Sequence, residues 1–305
     1  DGSDQEAQER GFTDGAYNIA RVFPTSSNYA SVEKKYKDNI YYTAAGASTS
    51  AIGVNIDRQS YNHTSKKTDA EKDSTKKALL NKDFRQSINF SINRESYSAQ
   101  INGEEGGVLA VRNLLVKPDF VYAGDKSFGD LVTEKMPSYG DEWSGVNLKD
   151  SQDGLFNADK AKTEFNKAKE ALQAQGVQFP IHIDYVVDQS SNALVQQADS
   201  MKSSIETALG KDNVVIDVQK LSTDDADNAT YFAQSPDQKD FDMDITGWGP
   251  DFQDPSTYLD ILNPTDGSTL TGMGLDPKKD QALIEKIGLN QYKELLDAAN
   301  AEKLD

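Results

Sequence analysis

The stretch Gly247-Trp248-Gly249-Pro250-Asp251-Phe252 holds the residue types in this chain best suited to binding chemistry. Gly247 and Gly249 allow close backbone approach, Pro250 stiffens the turn, and aromatic residues flank a single carboxylate. A carboxylate held between aromatic walls loses hydration and needs a cationic partner. No Lys or Arg lies near Asp251 in sequence, so an ammonium group on a ligand would serve. The competing reading puts Trp248 in the core and makes Asp251 a cap for the helix that follows.

Other chemistry is poorly provided for. His63 and His182 are the two histidines and there is no cysteine, so thiolate nucleophiles, disulfides and zinc-thiolate sites are excluded. His182 lies in an alternating strand and His63 in a polar loop, which suits structural or surface roles. No nucleophile-elbow, HExxH or Walker sequence occurs. Gly247-x-Gly249 and Gly272-x-Gly274 lack the third glycine of a dinucleotide fingerprint, with Phe252 and Pro277 in its place. Asp240, Asp242 and Asp244 have the first, third and fifth spacing of a calcium loop, but Ile245 stands where that loop needs glycine. Carboxylate pairs that would suit glycoside hydrolysis arise by chance among 50 acidic residues.

The elements that would position the loop are legible in the second half of the chain. Asn157 caps a helix with Ala161, Phe165, Ala168 and Leu172 on one face, and Gly176 ends it. Ile181 to Val187 reads as a strand. Ser191 starts a helix with Leu194, Ala198, Met201, Ile205 and Leu209 inside and Gly210 at its end, and Val214 to Val218 is the next strand. Strand, helix and strand with short links make a right-handed parallel unit. A helix over 223–234 leads to a strand over 240–245, where Phe241, Met243 and Ile245 alternate with a polar face of Asp240, Asp242 and Asp244. Asp254-Pro255 starts another helix, so the glycine-tryptophan loop sits at a strand's carboxyl end, where open α/β sheets bind ligands.

In the first half, strands are expected over 39–43 and 50–56, with small turn-like residues between. Lys66 to Lys77 reads as a solvated loop and helix face. Asp83 and Gln86 have capping-box spacing, and Phe84, Ile88 and Ile92 form a face expected to pack on the sheet. Residues 102–155 read as a long irregular region carrying Tyr122, Tyr139 and Trp143, and the end of the chain reads as helical through Leu304.

The 305 residues carry 32 basic and 50 acidic side chains, a formal net charge of -18. So acidic a surface repels nucleic acid and anionic membranes. No apolar run approaches the length of a membrane span. The opening Asp1 to Arg10 has neither a basic start nor an apolar stretch, which reads as a mature chain or an excised piece.

Several segments together resemble the solute-binding proteins of bacterial ABC importers, in the oligopeptide- and dipeptide-binding family. Asp83-Phe84-Arg85-Gln86-Ser87-Ile88-Asn89 with Asn93-Arg94-Glu95 resembles a helix of that family, Ser87 and Asn93 standing where Ala and Asp are usual. Gly53-Val54-Asn55 is similar to the preceding strand, Phe156 to Ala161 to a helix start, and Gly247-Trp248 to Asp254-Pro255 to the W-x-x-D-Y-x-D-P segment. Order and spacing agree from about residue 50 to about residue 260. Asp1 to Glu6 and Pro24 to Tyr29 are also similar to peptide-permease lipoproteins of Gram-positive bacteria.

The resemblance implies two lobes closing over an extended peptide whose amino terminus pairs with the acid of the W-x-x-D segment. On this sequence that role falls to Asp251, with Trp248 as a wall and Phe252 where Tyr is usual. It also implies that residues 1–305 are the second lobe of a longer receptor, an α/β unit with a mixed sheet and flanking helices. Residues 1–40 would lie near the interlobe hinge, and 276–305 would form a helical carboxyl-terminal part. The expected partners are an oligopeptide and the membrane permease subunits of an importer, with no nucleic acid. The expected state is a monomer, lipid-anchored in its full-length form at the extracellular face of the cell membrane. No catalytic residue, metal or cofactor is expected. Two other readings are a surface module that binds a host or cell-wall partner without a small ligand, and an enzyme.

Overall fold

The computed structural model describes residues 4, 6–43 and 45–300. Its first half contains α1 (Ala7–Thr13), α2 (Tyr29–Tyr36), β1 (Thr49–Val54), α3 (Asp69–Leu80), α4 (Lys82–Ser91), α5 (Arg94–Leu109), β2 (Tyr122–Ala123), β3 (Lys126–Ser127) and α6 (Phe128–Lys135). The second half contains α7 (Ala158–Ala174), β4 (Ile181–Asp188), α8 (Asn192–Leu209), β5 (Val214–Leu221), α9 (Thr223–Ala229) and β6 (Met243–Trp248). It closes with α10 (Ser256–Leu259), α11 (Gln281–Lys286) and α12 (Leu289–Asn300). Ala44 and residues 301–305, including the expected helical end at Leu304, lie outside the described residues.

The main sheet has the order β1-β6-β4-β5. Strands β4 and β5 are parallel in unbroken register from Ile181↔Val214 to Asp188↔Leu221, with α8 as the crossover. Ala198, Met201 and Ile205 of α8 are fully buried, as are Ile181, Ile183, Val214 and Ile216 of the two strands. Burying each Ile or Met side chain contributes about 1.5–3 kcal/mol, and this layer supplies much of the core. The caps expected at Asn157 and Ser191 are formed, and Gly176 and Gly210 follow the helices with φ of +74° and +86°.

Strand β6 joins the two halves of the sheet. It is antiparallel to β1 over six positions, from Thr49↔Trp248 to Val54↔Met243, but pairs with β4 only at Tyr185↔Met243. A two-stranded ribbon therefore projects from the sheet, with its root at Met243 and its tip at Trp248.

Several expectations are corrected. No strand forms over 39–43; a 3-10 turn at Lys37–Asn39 precedes irregular chain, because the partner of β1 is β6. Helix α4 packs on α7 instead of the sheet, with the Phe84 and Phe165 rings 6.2 Å apart. Strand β4 is already contacted by α8 and α3, and Thr75 of α3 donates its hydroxyl to the His182 carbonyl at 2.8 Å. The α4 cap is Asn81, whose side chain accepts the Phe84 N–H at 2.9 Å, and Asn81 also terminates α3. Helix α9 stops at Ala229, whose carbonyl accepts the Asp240 N–H at 3.0 Å. Residues 102–155 are more ordered than expected: they hold the end of α5, the β2–β3 hairpin and α6, and bury Val111, Val116, Val146 and Leu148. Trp143 packs on Phe90 at 5.4 Å.

Two corrections concern charge. The strand expected over 240–245 forms three residues later, as β6, and Asp240 and Asp242 of its expected polar face precede it and are both buried. Lys66, expected in a solvated run, is buried with them, while the rest of that run forms α3 behind a Thr68–Glu71 capping box.

Candidate functional site

At the ribbon tip the chain leaves β6 through Gly247, Trp248 and Gly249 and enters α10 eight residues after Trp248. The two glycines are required by the incoming segment of β1. A Cβ on Gly249 would lie 2.7 Å from the Ser48 hydroxyl, and one on Gly247 would lie 3.1 Å from the Thr49 carbonyl oxygen. The segment from Ser48 to Thr49 can therefore pass tightly alongside the loop.

Thr257 secures the loop at two points. Its carbonyl accepts the Trp248 indole N–H at 2.7 Å, and its hydroxyl accepts the Asp251 backbone N–H at 3.0 Å. Thr257 is buried, so both bonds are sheltered from competing water. The neighbouring Tyr258 is fully buried, donates its hydroxyl to the Ala47 carbonyl and sets its ring edge-on to Phe120 at 5.2 Å. Burial pushes the Tyr258 phenol up despite nearby Arg112, so it remains a donor. Arg112 braces the same segment from behind, donating to the Thr49 hydroxyl and the Gly46 carbonyl, each at 2.8 Å, and pairing with Asp150 at 2.9 Å.

Helix capping falls to Asp254. Its carboxylate accepts the Ser256 N–H at 2.8 Å, and hydrogen bonds from Ser256 hold that carboxyl below its ordinary range. Asp251 is left with its backbone fixed and its side chain exposed, with no hydrogen-bond or ion-pair partner among the described residues. Phe252 beside it is 60% exposed. Trp248 is half-buried, and its indole N–H is committed to Thr257.

Aromatic walls do not dehydrate Asp251, contrary to the expectation from sequence: the carboxylate faces solvent in this chain. Its need for a cation arises when another surface covers it. Gly247, Trp248, Gly249, Asp251 and Phe252 do fall together at one sheet end, as their order in the chain requires. The residues that hold them, Thr257, Tyr258, Thr49 and Arg112, belong to no motif in the sequence. The only sequence cue for Thr257 is its place one turn after the Asp254-Pro255 helix start.

The model for bacterial extracellular solute-binding proteins, family 5 Middle, matches residues 2–269. The chain belongs to this family. It is 58% identical, over its whole length, to the oligopeptide-binding protein AmiA of Streptococcus pneumoniae and 53% identical to the oligopeptide-binding protein SarA of Streptococcus gordonii. In each case it covers 46% of the relative, so the chain spans about half the length of the curated relatives it matches. Among solved structures it is similar in fold to Listeria monocytogenes OppA bound to peptide, with a TM-score of 0.55, 21% identity and coverage of 93% of this chain and 47% of that one. The solute-binding fold seen here is accordingly a mixed sheet with flanking helices, about half the size of its structural neighbours. Among the described residues, no helix is long and apolar enough to cross a membrane.

Proposed function

We propose that this chain forms one wall of the peptide-binding cleft of an ABC-importer receptor and that Asp251 receives the amino terminus of an extended oligopeptide. One observation carries the reading: at the tip of a braced ribbon, the Asp251 carboxylate is exposed and unpaired among the described residues, while the acids around it are committed. A carboxylate held this way is pre-organised for a charge-assisted hydrogen bond to an ammonium group. Phe252 offers an apolar surface beside it, and Thr246 and Gly247 are exposed on the strand edge that faces away from β1, which suits addition of an extended peptide. The family match and the streptococcal oligopeptide-binding relatives support the substrate class. In this reading the protein binds and does not catalyse. It works at the extracellular face of the cell membrane as the second lobe of a lipid-anchored receptor, passing peptide to permease subunits. Residues 1–40 lie toward the interlobe hinge.

The chain has two tryptophans, so the test is direct. With indole nitrogens labelled, the Trp248 signal should move on addition of a short-peptide pool and hardly move with the same pool amino-acetylated. Equal movement with both pools would remove the ammonium from the account.

A further inference from the structure

The root of the ribbon holds a buried cluster of two cations and three carboxylates, from three separate stretches of chain. Arg58 and Lys66 come from the segment that follows β1, Asp184 from β4, and Asp240 and Asp242 from the residues just before β6. Arg58 is 1% exposed and Asp184 0%. The Arg58 guanidinium donates to Asp184 at 2.7 Å and Asp240 at 2.8 Å, lies 3.2 Å from Asp242, and also donates to the carbonyls of Ser60 and His63. The Lys66 ammonium bridges Asp184, at 2.7 Å, and Asp242. Carboxylates outnumber cations, and neutral donors meet the excess. Asp240 accepts the N–H groups of Asn62 and His63, and Asp242 that of Asp184. Asp184 also accepts from the Thr64 hydroxyl, the Ser65 N–H and the Gln219 amide.

The location of this cluster gives it a task. Strand β6 has one residue pair with β4, and the cluster sits within three residues of that pair on both strands. Arg58 and Lys66, beyond the outgoing end of β1, each bridge the Asp184 carboxylate of β4 to a carboxylate at the incoming end of β6. We infer that Arg58 and Lys66 are positioning residues, which fix the β1–β6 ribbon against the sheet and so set where the loop at 247–252 stands. Removing one cation leaves buried carboxylates without sufficient counter-charge, and the structure can relieve this by letting the ribbon root open to water. Strands β4 and β5 and helix α8 also pack through apolar side chains, Ile181, Ile183, Met201, Ile205, Val214 and Ile216, which carry no part of the cluster.

For ligand binding, the inference rests on the peptide reading, but its test needs no peptide. Amide hydrogen exchange is measured on the wild-type chain and on Lys66→Met, Lys66→Arg and Asp242→Asn. Lys66→Met should speed exchange over 243–248 and 49–54 by at least about tenfold. Exchange in α7, α8 and β5 should stay within about twofold of wild type, and Lys66→Arg should restore most of the protection. If Lys66→Met does not fold, Asp242→Asn should show the same pattern more weakly. Equal acceleration of ribbon and sheet core, or an unchanged ribbon, would overturn the assignment. Failure of peptide to shift the Trp248 signal would leave this result standing, because the two readouts are independent.

Discussion

The two ends of the β1–β6 ribbon treat negative charge in opposite ways. At the root, Asp184, Asp240 and Asp242 are sealed from water, and each is paired with a cation and bonded to N–H or hydroxyl donors. At the tip, Asp251 stands in solvent with only its backbone held. Root carboxylates are satisfied within the chain and contribute placement. The tip carboxylate is satisfied by water until a partner displaces it. In an acidic chain, the informative acid is therefore the one whose surroundings are rigid but whose own charge is unanswered.

The largest effect should follow from unbalancing the root. Lys66→Met removes one cation from a buried network and should loosen the ribbon root by at least about 1.4 kcal/mol, the tenfold faster exchange expected over 243–248, without a matching loss in the sheet core. The same measurement on Asp251→Asn should change stability by less than about 0.5 kcal/mol, since an exposed acid without partners supports nothing. A comparable loss in both variants would erase the distinction between root and tip.

Asp244, between the two ends, should give a smaller and pH-dependent effect. Burial pushes its carboxyl up to about 7, with Lys239 and a backbone hydrogen bond opposing. The folded state then keeps a proton that the unfolded chain releases near its ordinary value of 3.8, so stability falls as pH rises from about 4 through 7. Asp184 has the opposite sign: burial raises it, but Lys66 and the surrounding hydrogen bonds outweigh burial and hold it at about 2. Its contribution is present above the ordinary carboxyl range and fades as pH falls toward 2. Asp244→Asn should therefore gain about 1–3 kcal/mol over wild type at pH 7.5 and almost nothing at pH 4, read by urea unfolding at both values. A gain at pH 4 as large as at pH 7.5 would show that the carboxyl does not titrate in this window.

A smaller loss belongs to the brace. Thr257→Val deletes the acceptor for the Asp251 N–H and keeps the carbonyl that holds Trp248. It should cost about 1 kcal/mol and broaden the amide signals of 250–252 while leaving the Trp248 indole signal in place.

The sequence was most readable where local pattern and tertiary demand agree. The α7 stripe, the β4–α8–β5 unit and the loop at the carboxyl end of β6 all appear in the structure close to where periodicity and caps put them. Local pattern misled where distant residues decide. Alternation over 240–245 marks a polar face but not its burial, because nothing nearby shows that Arg58 and Lys66 arrive from about 180 residues away to neutralise it. Lys66 opens a run of charges whose other charged members are exposed or half-buried, so its full burial carries no local mark. The strand expected over 39–43 had β-forming residues but no edge to join. For the site, residue types and position pointed to Asp251. Its exposure and the double anchor at Thr257 depend on packing against β1, and a linear pattern does not encode that.

The central claim is that Asp251 recognises an ammonium group. Its most direct test is a cycle in the full-length receptor containing this chain, with peptide affinity measured by calorimetry for wild type and Asp251→Asn, each with a free-amine peptide and its amino-acetylated form. Asp251→Asn should weaken the free-amine peptide about tenfold to a hundredfold and leave the acetylated one within about twofold. Equal weakening of both peptides, or of neither, would contradict it.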